Sequence, residues 1–414
     1  MERKHITAIT FGCKVNQYDS AEIVSLCVGS GYEYVDDSDA ADIVIVHTCA
    51  VTAEAVRQAR QKINALHRTY PHLKIIIAGC ATELDSKGWM AIDGVVFVCG
   101  VSDTDRLKTY LKLPSTKDAA FKQKRARYFM KVQDGCDHAC SYCVIRLARG
   151  KSRSRDEDSI LKEYRRIKEL GVNEVVLTGI HLGDYGRDLK GCFDLTRLVA
   201  RLVKEENSPR IRLSSLHPNE ITDDLISMMK ENKKICRHIH LSVQSLSGPV
   251  LRAMNRDYDA ALVINLIERL AKEVDGIFIA ADIITGFPNE SDEYFSQTYD
   301  ALCSLPISSL HVFPFSSRPR TPAAKLQNIN TKSAIKGRVA DLRNLSAKKW
   351  QEFAKSQIGK GLEVIVTSED DKTATCMSDN YLNIKLPSSV VKYGDIGKAM
   401  IGSIAEMEVL GKWV

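Results

Sequence analysis

Short apolar segments alternate with helix-like segments twice along this 414-residue chain, and no other feature constrains its fold as strongly. In the first series the apolar segments cover residues 6–11, 42–47 and 73–78, and helical patterns cover residues 20–29, 52–67 and 104–111. Buried apolar strands that alternate with helices are typical of a parallel sheet covered on both faces. We therefore predict a doubly wound α/β domain over residues 1–113.

A cysteine follows each of the three apolar segments, and these cysteines are Cys13, Cys49 and Cys80. The carboxyl ends of parallel strands point to one edge of a sheet, where ligands bind. We therefore expect the three thiols to meet although they are far apart in sequence. A single buried cysteine is often only a small apolar side chain. Three at successive strand ends favour an iron–sulfur cluster.

The second series supplies six more apolar segments, at residues 128–132, 174–177, 211–213, 238–241, 277–284 and 310–313. A charged stretch without apolar periodicity precedes them, and we interpret residues 114–127 as a linker. Six strand–helix units make a partial (β/α)6 version of the (β/α)8 barrel, here over residues 128–352. Such barrels carry their reaction centres at the carboxyl ends of the strands.

Three further cysteines lie directly after the first strand of this series, with gaps of three and two residues: Cys136, Cys140 and Cys143. Full ligation of a [4Fe–4S] cluster takes four cysteines, so three thiolates leave one iron open for a ligand. Zinc is the alternative, but it normally takes a fourth ligand and paired spacing. His138 lies too close in sequence to its neighbours to complete such a site.

Residues 353–414 change character, because short apolar segments are divided there by Gly, Asp, Asn and Ser. This pattern predicts a small β-barrel, a fold that often binds oligonucleotides. Charged and aromatic side chains that could contact RNA are Lys385, Lys392, Lys398, Lys412, Tyr381, Tyr393 and Trp413. The alternative is a solvated charged face with aromatic rings in the core.

Twelve cysteines in a chain with no signal-peptide pattern after Met1 indicate a reducing cytoplasm rather than a disulfide framework. We expect no membrane partner, since no apolar run approaches membrane-spanning length. The net charge of +6 is compatible with a nucleic-acid partner without establishing one.

The order of the six cysteines and the terminal barrel resembles the radical S-adenosylmethionine (SAM) methylthiotransferases over almost the whole chain. Residues 12–20, 48–52, 148–155 and 177–186 are similar to the branch that modifies N6-threonylcarbamoyladenosine at position 37 of tRNA. The isopentenyladenosine branch usually carries Gly-Gln-Asn-Val where this chain has residues 179–182. The resemblance implies a flavodoxin-like first domain, a radical SAM barrel and a TRAM-like RNA-binding barrel.

The resemblance also implies two [4Fe–4S] clusters, SAM as a cofactor, and methylthiolation of C2 of the modified adenosine. Cys136, Cys140 and Cys143 would hold the cluster that binds SAM, and Cys13, Cys49 and Cys80 the auxiliary cluster. Tyr142 would lie against the SAM adenine, with further cofactor contacts from Gly179, Ser214, Gln244 and Ile284.

Partners implied by the resemblance are the anticodon stem-loop of a tRNA with modified A37 and an electron donor such as flavodoxin or ferredoxin. The expected tRNA-binding residues are Arg149, Lys151, Arg153, Arg155 and His181. Arginine and lysine position nucleic acid through its phosphates. A solvated basic face is the alternative for the basic residues.

Three positions depart from the family pattern: Arg146 replaces a proline, and Leu246 and Arg320 replace glycines. None is an expected metal ligand. Other substrates that the family admits are isopentenyladenosine at position 37 and a ribosomal protein. A function of another class is a non-catalytic, RNA-binding iron–sulfur redox sensor.

Overall fold

A computed structural model describes residues 4–101, 103–113 and 126–414. The chain divides into two compact units. The first comprises Met1–Gln123, Gln133–Arg153 and Ser316–Ala324, and the second comprises Lys124–Val132, Ser154–Phe315 and Lys325–Val414. The predicted linker at 114–127 lies outside the described residues except for its last two positions.

The first unit contains a five-stranded parallel sheet of order β2-β1-β3-β4-β5. Its strands are β1 (His5–Thr10), β2 (Glu33–Tyr34), β3 (Ile43–Thr48), β4 (Lys74–Gly79) and β5 (Val95–Val98). Its helices are α1 (Lys14–Gly29), α2 (Ala53–Thr69), α3 (Cys80–Leu84), α4 (Ser86–Met90) and α5 (Thr104–Leu111). Every residue of β3 is buried, as expected for a central strand of a doubly wound sheet. The predicted fold is therefore confirmed, with two short edge strands, β2 and β5, added to it.

Along the chain, strand β6 (Arg127–Lys131) is followed by the segment that carries Cys136, Cys140 and Cys143. This segment contains β7 (Gln133–Asp134), α6 (Ile145–Arg149) and β8 (Arg153–Ser154). Val144 and Ala148 are buried in the same apolar cluster as Cys80 and Ala81. The cysteine segment thus shares a core with the sheet of the first unit.

The second unit contains the six predicted barrel strands. After β6 they are β9 (Glu174–Thr178), β10 (Arg210–Leu213), β11 (His238–Gln244), β12 (Phe278–Thr285) and β13 (Ser309–Pro314). They form two parallel three-stranded sheets, β10-β9-β6 and β11-β12-β13, and isolated bridges at Ile211 and Leu216 continue the pairing between them. The accompanying helices are α7 (Glu157–Glu169), α8 (Leu195–Val203), α9 (Asp223–Glu231), α10 (Gly248–Ala253), α11 (Ala260–Glu273), α12 (Asp292–Ser304) and α13 (Lys332–Lys355).

The terminal strands close into a five-stranded barrel of order β14-β15-β16-β18-β17. They are β14 (Gly361–Glu369), β15 (Thr373–Ser378), β16 (Asn383–Pro387), β17 (Ile396–Ala405) and β18 (Glu408–Trp413). Phe278 of β12 and Ala354 of α13 are buried in the core of this barrel. The terminal barrel is therefore packed onto the larger one rather than tethered to it.

Most of the aromatic rings predicted to stack on RNA belong instead to this core. Tyr381 stacks on His238 with ring centroids 4.1 Å apart, and Trp413 packs against the barrel interior. Tyr393 is the ring of this set that is exposed. In the part of the chain that the structure describes, no helix is long and apolar enough to span a bilayer.

Candidate functional site

The first three cysteines meet at the carboxyl edge of the sheet in the first unit. Cys13 caps the amino end of α1, Cys49 follows β3, and Cys80 is the first residue of α3, directly after β4. Strands β1, β3 and β4 are neighbours in the sheet. A Cβ added to Gly12 would lie 2.7 Å from the Cβ of Cys49 and 2.9 Å from its Sγ, so the Cys13 turn contacts the Cys49 turn. Cys49 and Cys80 are buried, whereas Cys13 is exposed.

Asn16, which is fully buried, joins the carboxyl ends of β1 and β3. Its amide nitrogen donates to the carbonyl oxygens of Phe11 at 2.8 Å and Thr48 at 3.0 Å. Its Oδ1 lies 4.0 Å from Cys13 Sγ and 3.8 Å from Cys80 Sγ. One side chain from the first turn of α1 therefore holds two strand ends and faces two of the thiols.

Arg149 is the group that contacts this thiol set most directly. Its Nε donates to Cys80 Sγ at 3.0 Å, and its Nη2 donates to Asn16 Oδ1 at 2.7 Å. The guanidinium also pairs with Asp19 at 2.9 Å and Asp134 at 2.8 Å. Its side chain has no exposed surface. Arg149 is thus a buried cation whose donors point at a thiol, an amide and two carboxylates.

Burial raises the pKa of the Cys80 thiol to about 12, against the opposing effect of the Arg149 guanidinium. Burial likewise raises the pKa of Cys49, where Arg149 and Arg318 again oppose it. Such thiols keep their protons at neutral pH unless a metal displaces them. Three converging sulfurs beside a permanent cation suit iron, which favours thiolate ligands. The residues present therefore fit an iron–sulfur cluster.

Cys136, Cys140 and Cys143 lie in a loop of the first unit whose two ends are joined. The Cys136 amide donates to the carbonyl of Gly150 at 3.1 Å. The buried side chain of Gln133 donates to the Gly135 carbonyl at 2.8 Å and to the Ser152 hydroxyl at 2.9 Å. Gly135 has a φ of +73°, and a Cβ there would stand 1.9 Å from the Lys151 carbonyl. Glycine is required at this position.

The three thiols of the loop are half-buried, and the peptide N–H of Ile145 donates to Cys143 Sγ at 3.4 Å. Tyr142 lies between the second and third cysteines and is also half-buried. A peptide donor to sulfur and a short closed loop suit thiolates that ligate a cluster. The donor set therefore fits a three-cysteine cluster with one open iron.

Two family models and several relatives match this chain. The Radical SAM superfamily matches residues 130–302, and the "Uncharacterized protein family UPF0004" matches residues 5–100. The threonylcarbamoyladenosine tRNA methylthiotransferase MtaB of Bacillus subtilis is 32% identical over 97% of this chain and 92% of its own length. The protein of the same name from Aquifex aeolicus is 34% identical over 94% and 97%. The chain belongs to the radical SAM methylthiotransferases.

A solved structure extends the comparison to the fold. The radical SAM methyltransferase TsrM from Kitasatospora setae, with cobalamin and a [4Fe–4S] cluster bound, matches with a TM-score of 0.58 and 15% identity. The match covers 78% of this chain and 77% of that one. As a radical SAM enzyme, the methylthiotransferase uses SAM and a [4Fe–4S] cluster, which is the chemistry that the loop of Cys136, Cys140 and Cys143 suits.

The expected SAM contacts of the second unit lie at the carboxyl ends of its strands. Gly179 and Ser214 follow β9 and β10, Gln244 ends β11, and Ile284 is the penultimate residue of β12. Gln244 has a φ of +66°, which is unusual for a side-chain-bearing residue, at a register shift between β11 and β12. The buried Ser214 hydroxyl has no hydrogen-bond partner among the described residues. Both features suit a ligand at the strand ends, and the four SAM contacts remain predictions.

Two of the five residues expected to bind tRNA are buried. Arg149 lies among the groups described above, where its guanidinium already pairs with two carboxylates. His181 is 3% exposed, and its Nδ1 lies 2.9 Å from Asp184 while its Nε2 contacts Glu220. Both ring nitrogens of His181 therefore already face a carboxylate, and the tRNA contacts of both residues stay predictions. The sequence signalled basic residues but not their burial.

The other three basic residues of the methylthiotransferase differ from one another. Lys151 and Arg153 are exposed. Arg155 is half-buried, with Nη1 at 2.7 Å from Glu163 and 2.8 Å from the Lys131 carbonyl. Its charge is therefore already compensated. Lys151 and Arg153 keep exposed cationic groups and remain predicted phosphate contacts.

The three departures from the family pattern are accommodated in different ways. Arg320 has a φ of +68°, so it keeps the left-handed backbone that glycine adopts freely. Leu246 is buried, and its amide donates to the Thr298 hydroxyl at 3.1 Å. Arg146 reaches the Asp137 carbonyl at 3.4 Å. Of the three, the strained backbone of Arg320 is the one with an energetic cost.

The tertiary structure reveals several groups that the sequence did not predict. Two of them are Asn16 and the contact between Arg149 and Cys80. Arg318 is another, because it is 9% exposed, interacts electrostatically with Cys49, and has an Nε that makes no hydrogen bond among the described residues. Asn16 could have been noticed, since a polar residue three positions after a helix-capping cysteine faces that cysteine. Nothing in the sequence indicated Arg318.

A polar cluster on the second unit was also missed. His240 Nε2 lies 2.8 Å from Asp282 Oδ1, and His311 Nδ1 lies 3.7 Å from the same oxygen. The three residues come from the adjacent strands β11, β12 and β13, and none of them is fully buried. Each lies between two apolar residues of its strand, a pattern that does not reveal which strands are neighbours.

Proposed function

We propose that this enzyme methylthiolates C2 of N6-threonylcarbamoyladenosine at position 37 of tRNA. The observation that carries the proposal is the pair of cysteine triads, each with its own supporting residues, in one unit of a methylthiotransferase. Insertion of sulfur and methylation of that sulfur require more than a single SAM-binding cluster supplies. A second cluster held by Cys13, Cys49 and Cys80 would meet that requirement.

Relatives support the choice of nucleoside. The matched enzymes named for threonylcarbamoyladenosine are 32% and 34% identical to this chain. The tRNA-2-methylthio-N(6)-dimethylallyladenosine synthase of Carboxydothermus hydrogenoformans is 28% identical over 99% of this chain and 97% of its own length. The sequence identities of the two groups of relatives are close, so the substrate must be tested with the purified enzyme.

In this function Cys136, Cys140 and Cys143 would hold the [4Fe–4S] cluster that binds SAM. Bound together, cluster and SAM supply one-electron cleavage of a carbon–sulfur bond, which gives access to an unactivated aromatic carbon. Tyr142, Gly179, Ser214, Gln244 and Ile284 would orient SAM. The protein's task is placement and exclusion of water.

The threonylcarbamoyl group carries a carboxylate, and the enzyme needs a cation to recognise it. Arg153 takes that role in the proposal, because its guanidinium is exposed and, among the described residues, donates to an uncharged group, the Lys151 carbonyl at 3.1 Å. A site that pairs a polar substituent favours it over an apolar one, which leaves the polar groups of the site unpaired. The proposed partners are the anticodon stem-loop and an electron donor such as flavodoxin or ferredoxin, and the reaction would take place in the cytoplasm.

The test supplies purified, anaerobically reconstituted enzyme with three tRNAs that differ only at A37. Mass spectrometry of the released nucleosides should detect the 2-methylthio product from threonylcarbamoyladenosine, and almost none from isopentenyladenosine or adenosine. Comparable turnover of the isopentenyl substrate would contradict the choice of nucleoside. Absence of product from all three would point to a protein substrate, and absence of SAM cleavage to a redox sensor.

Replacing Cys13, Cys49 and Cys80 together by alanine tests the two-cluster part. We expect this variant to bind roughly half the iron and still cleave SAM reductively, because its other three ligands remain. Replacing Cys136, Cys140 and Cys143 is the matched control, which should also bind half the iron but cleave no SAM. Full iron content in the first variant would contradict the assignment.

A further inference from the structure

Arg149 occupies a position that connects the two cysteine triads within the first unit. It lies six residues after Cys143, at the end of helix α6. Its Nε donates to Cys80 Sγ at 3.0 Å. The segment that carries one triad therefore delivers a cation to a thiol of the other.

Several polar groups fix the Arg149 guanidinium in the position from which it contacts Cys80. The guanidinium is held from three further sides, by Asn16 Oδ1 at 2.7 Å, Asp19 Oδ2 at 2.9 Å and Asp134 Oδ1 at 2.8 Å. Its side chain is completely buried. Asp19 and Asp134 are 11% and 20% exposed, so both carboxylates are largely removed from solvent. These partners fix the direction of Nε toward the sulfur.

We propose that Arg149 is a positioning residue that sets the reduction potential of the second cluster through its hydrogen bond to Cys80. The inference rests on the proposed function, which assigns that cluster to Cys13, Cys49 and Cys80. Hydrogen bonds to ligating sulfurs and nearby charge are among the groups that tune iron–sulfur potentials. Reduction adds one negative charge to the cluster, and a buried cation stabilises the reduced state over the oxidised one. Removing the cation lowers the potential.

The two carboxylates distinguish an electrostatic role of Arg149 from a structural one, because loss of the cation and loss of a carboxylate shift the reduction potential in opposite directions. Loss of Arg149 leaves two largely buried carboxylates without their counter-charge and disfavours reduction. Loss of one carboxylate leaves the Arg149 contact in place and favours reduction. A residue that only braces the fold would produce the same kind of damage in either case.

The experiment uses the full chain with Cys136, Cys140 and Cys143 replaced by alanine, so that only the second cluster is reconstituted. Iron content gives its occupancy, and dithionite titration with redox mediators, followed by electron paramagnetic resonance, gives its potential. Arg149→Gln should lower the reduced-to-oxidised ratio at fixed potential at least tenfold, which is about 59 mV for a one-electron couple. Arg149→Lys keeps the charge but loses the guanidinium fork, and should shift the ratio less.

Asp134→Asn is the matched comparison, and its potential should rise. An unchanged potential in Arg149→Gln, with the cluster bound, would overturn the role of Arg149 alone. Loss of the cluster in both Arg149 variants, but not in Asp134→Asn, would reassign Arg149 to assembly and overturn the redox role. If the background protein binds no iron, the assignment of the second cluster fails, and this inference fails with it.

Discussion

Glu174 and Arg212 form a fully buried ion pair in which Arg212 Nε lies 2.9 Å from Glu174 Oε1. Arg210 pairs with the same carboxylate at 2.7 Å. Both guanidinium groups also donate to backbone carbonyls of the terminal barrel. Arg212 donates to the Ser378 carbonyl at 2.9 Å, and Arg210 donates to the Met377 carbonyl at 2.8 Å. Charges on two strands of the larger barrel thus hold the smaller barrel in place.

Glu174→Gln should destabilise the protein by about 3–5 kcal/mol, because it leaves two buried guanidinium groups without their counter-charge. Unfolding in guanidinium chloride, followed by circular dichroism, measures the change. Glu408→Gln is the control, since its partner Lys385 and Glu408 itself are about half exposed. The control should keep the wild-type midpoint. Equal midpoints for Glu174→Gln and wild type would contradict the role of the pair.

The same pair predicts a dependence of stability on pH. Burial alone would raise the pKa of Glu174, but Arg212 and Arg210 outweigh it and lower the pKa from 4.5 to about 2. The unfolded chain therefore takes up this proton at a higher pH than the folded protein. The contribution of roughly 3 kcal/mol is complete above pH 4.5 and is lost as the pH falls toward 2. Unfolding free energies of wild type and Glu174→Gln should converge over that range.

Gly12→Ala should prevent assembly of the second cluster while SAM cleavage continues. Gly12 has a φ of +99°, and the new Cβ would stand 2.7 Å from the Cβ of Cys49. Iron content should fall by roughly half, as expected when one of two clusters is lost. Gly31→Ala is the control, because Gly31 has a φ of +94° but no atom within 4 Å of the added Cβ. It should cost about 1 kcal/mol of stability and no iron. Iron loss in both variants would trace the effect to backbone strain rather than to crowding.

Arg320→Gly should stabilise the protein by up to about 1 kcal/mol, because glycine adopts the left-handed backbone of this position without strain. Thermal unfolding of the apoprotein measures the gain. Arg320→Ala removes the same charge but keeps the strain, and it should not stabilise. A gain in both variants would assign the effect to the charge instead.

Lys151→Ala should weaken tRNA binding and reduce the slope of log affinity against log salt by about 0.9. Fluorescence anisotropy with labelled tRNA at several salt concentrations gives the slope. Arg155→Gln should leave it unchanged, since Glu163 already compensates Arg155. Equal slopes for Lys151→Ala and wild type would show that Lys151 does not contact phosphate.

Sequence alone determined the elements of the fold and the composition of both cysteine sites. Apolar segments that alternate with helical ones predict parallel sheets, and each cysteine of the first triad follows such a segment. Strand ends of a parallel sheet share one edge, so the convergence of Cys13, Cys49 and Cys80 followed from local pattern and connectivity. The second triad was visible because its ligands are close in sequence.

Only the tertiary structure decided which polar side chains are buried and what they contact. Arg149 and Lys151 are two residues apart in one basic run, yet the first lies against Cys80 and the second is exposed. Glu174 and Arg212 pair because β9 and β10 are neighbours, and Tyr381 belongs to the core because the small barrel packs on β12. A charge in sequence carries no record of its solvent exposure, since burial is set by segments far away along the chain. The physical roles of these residues therefore depend on packing that local pattern does not specify.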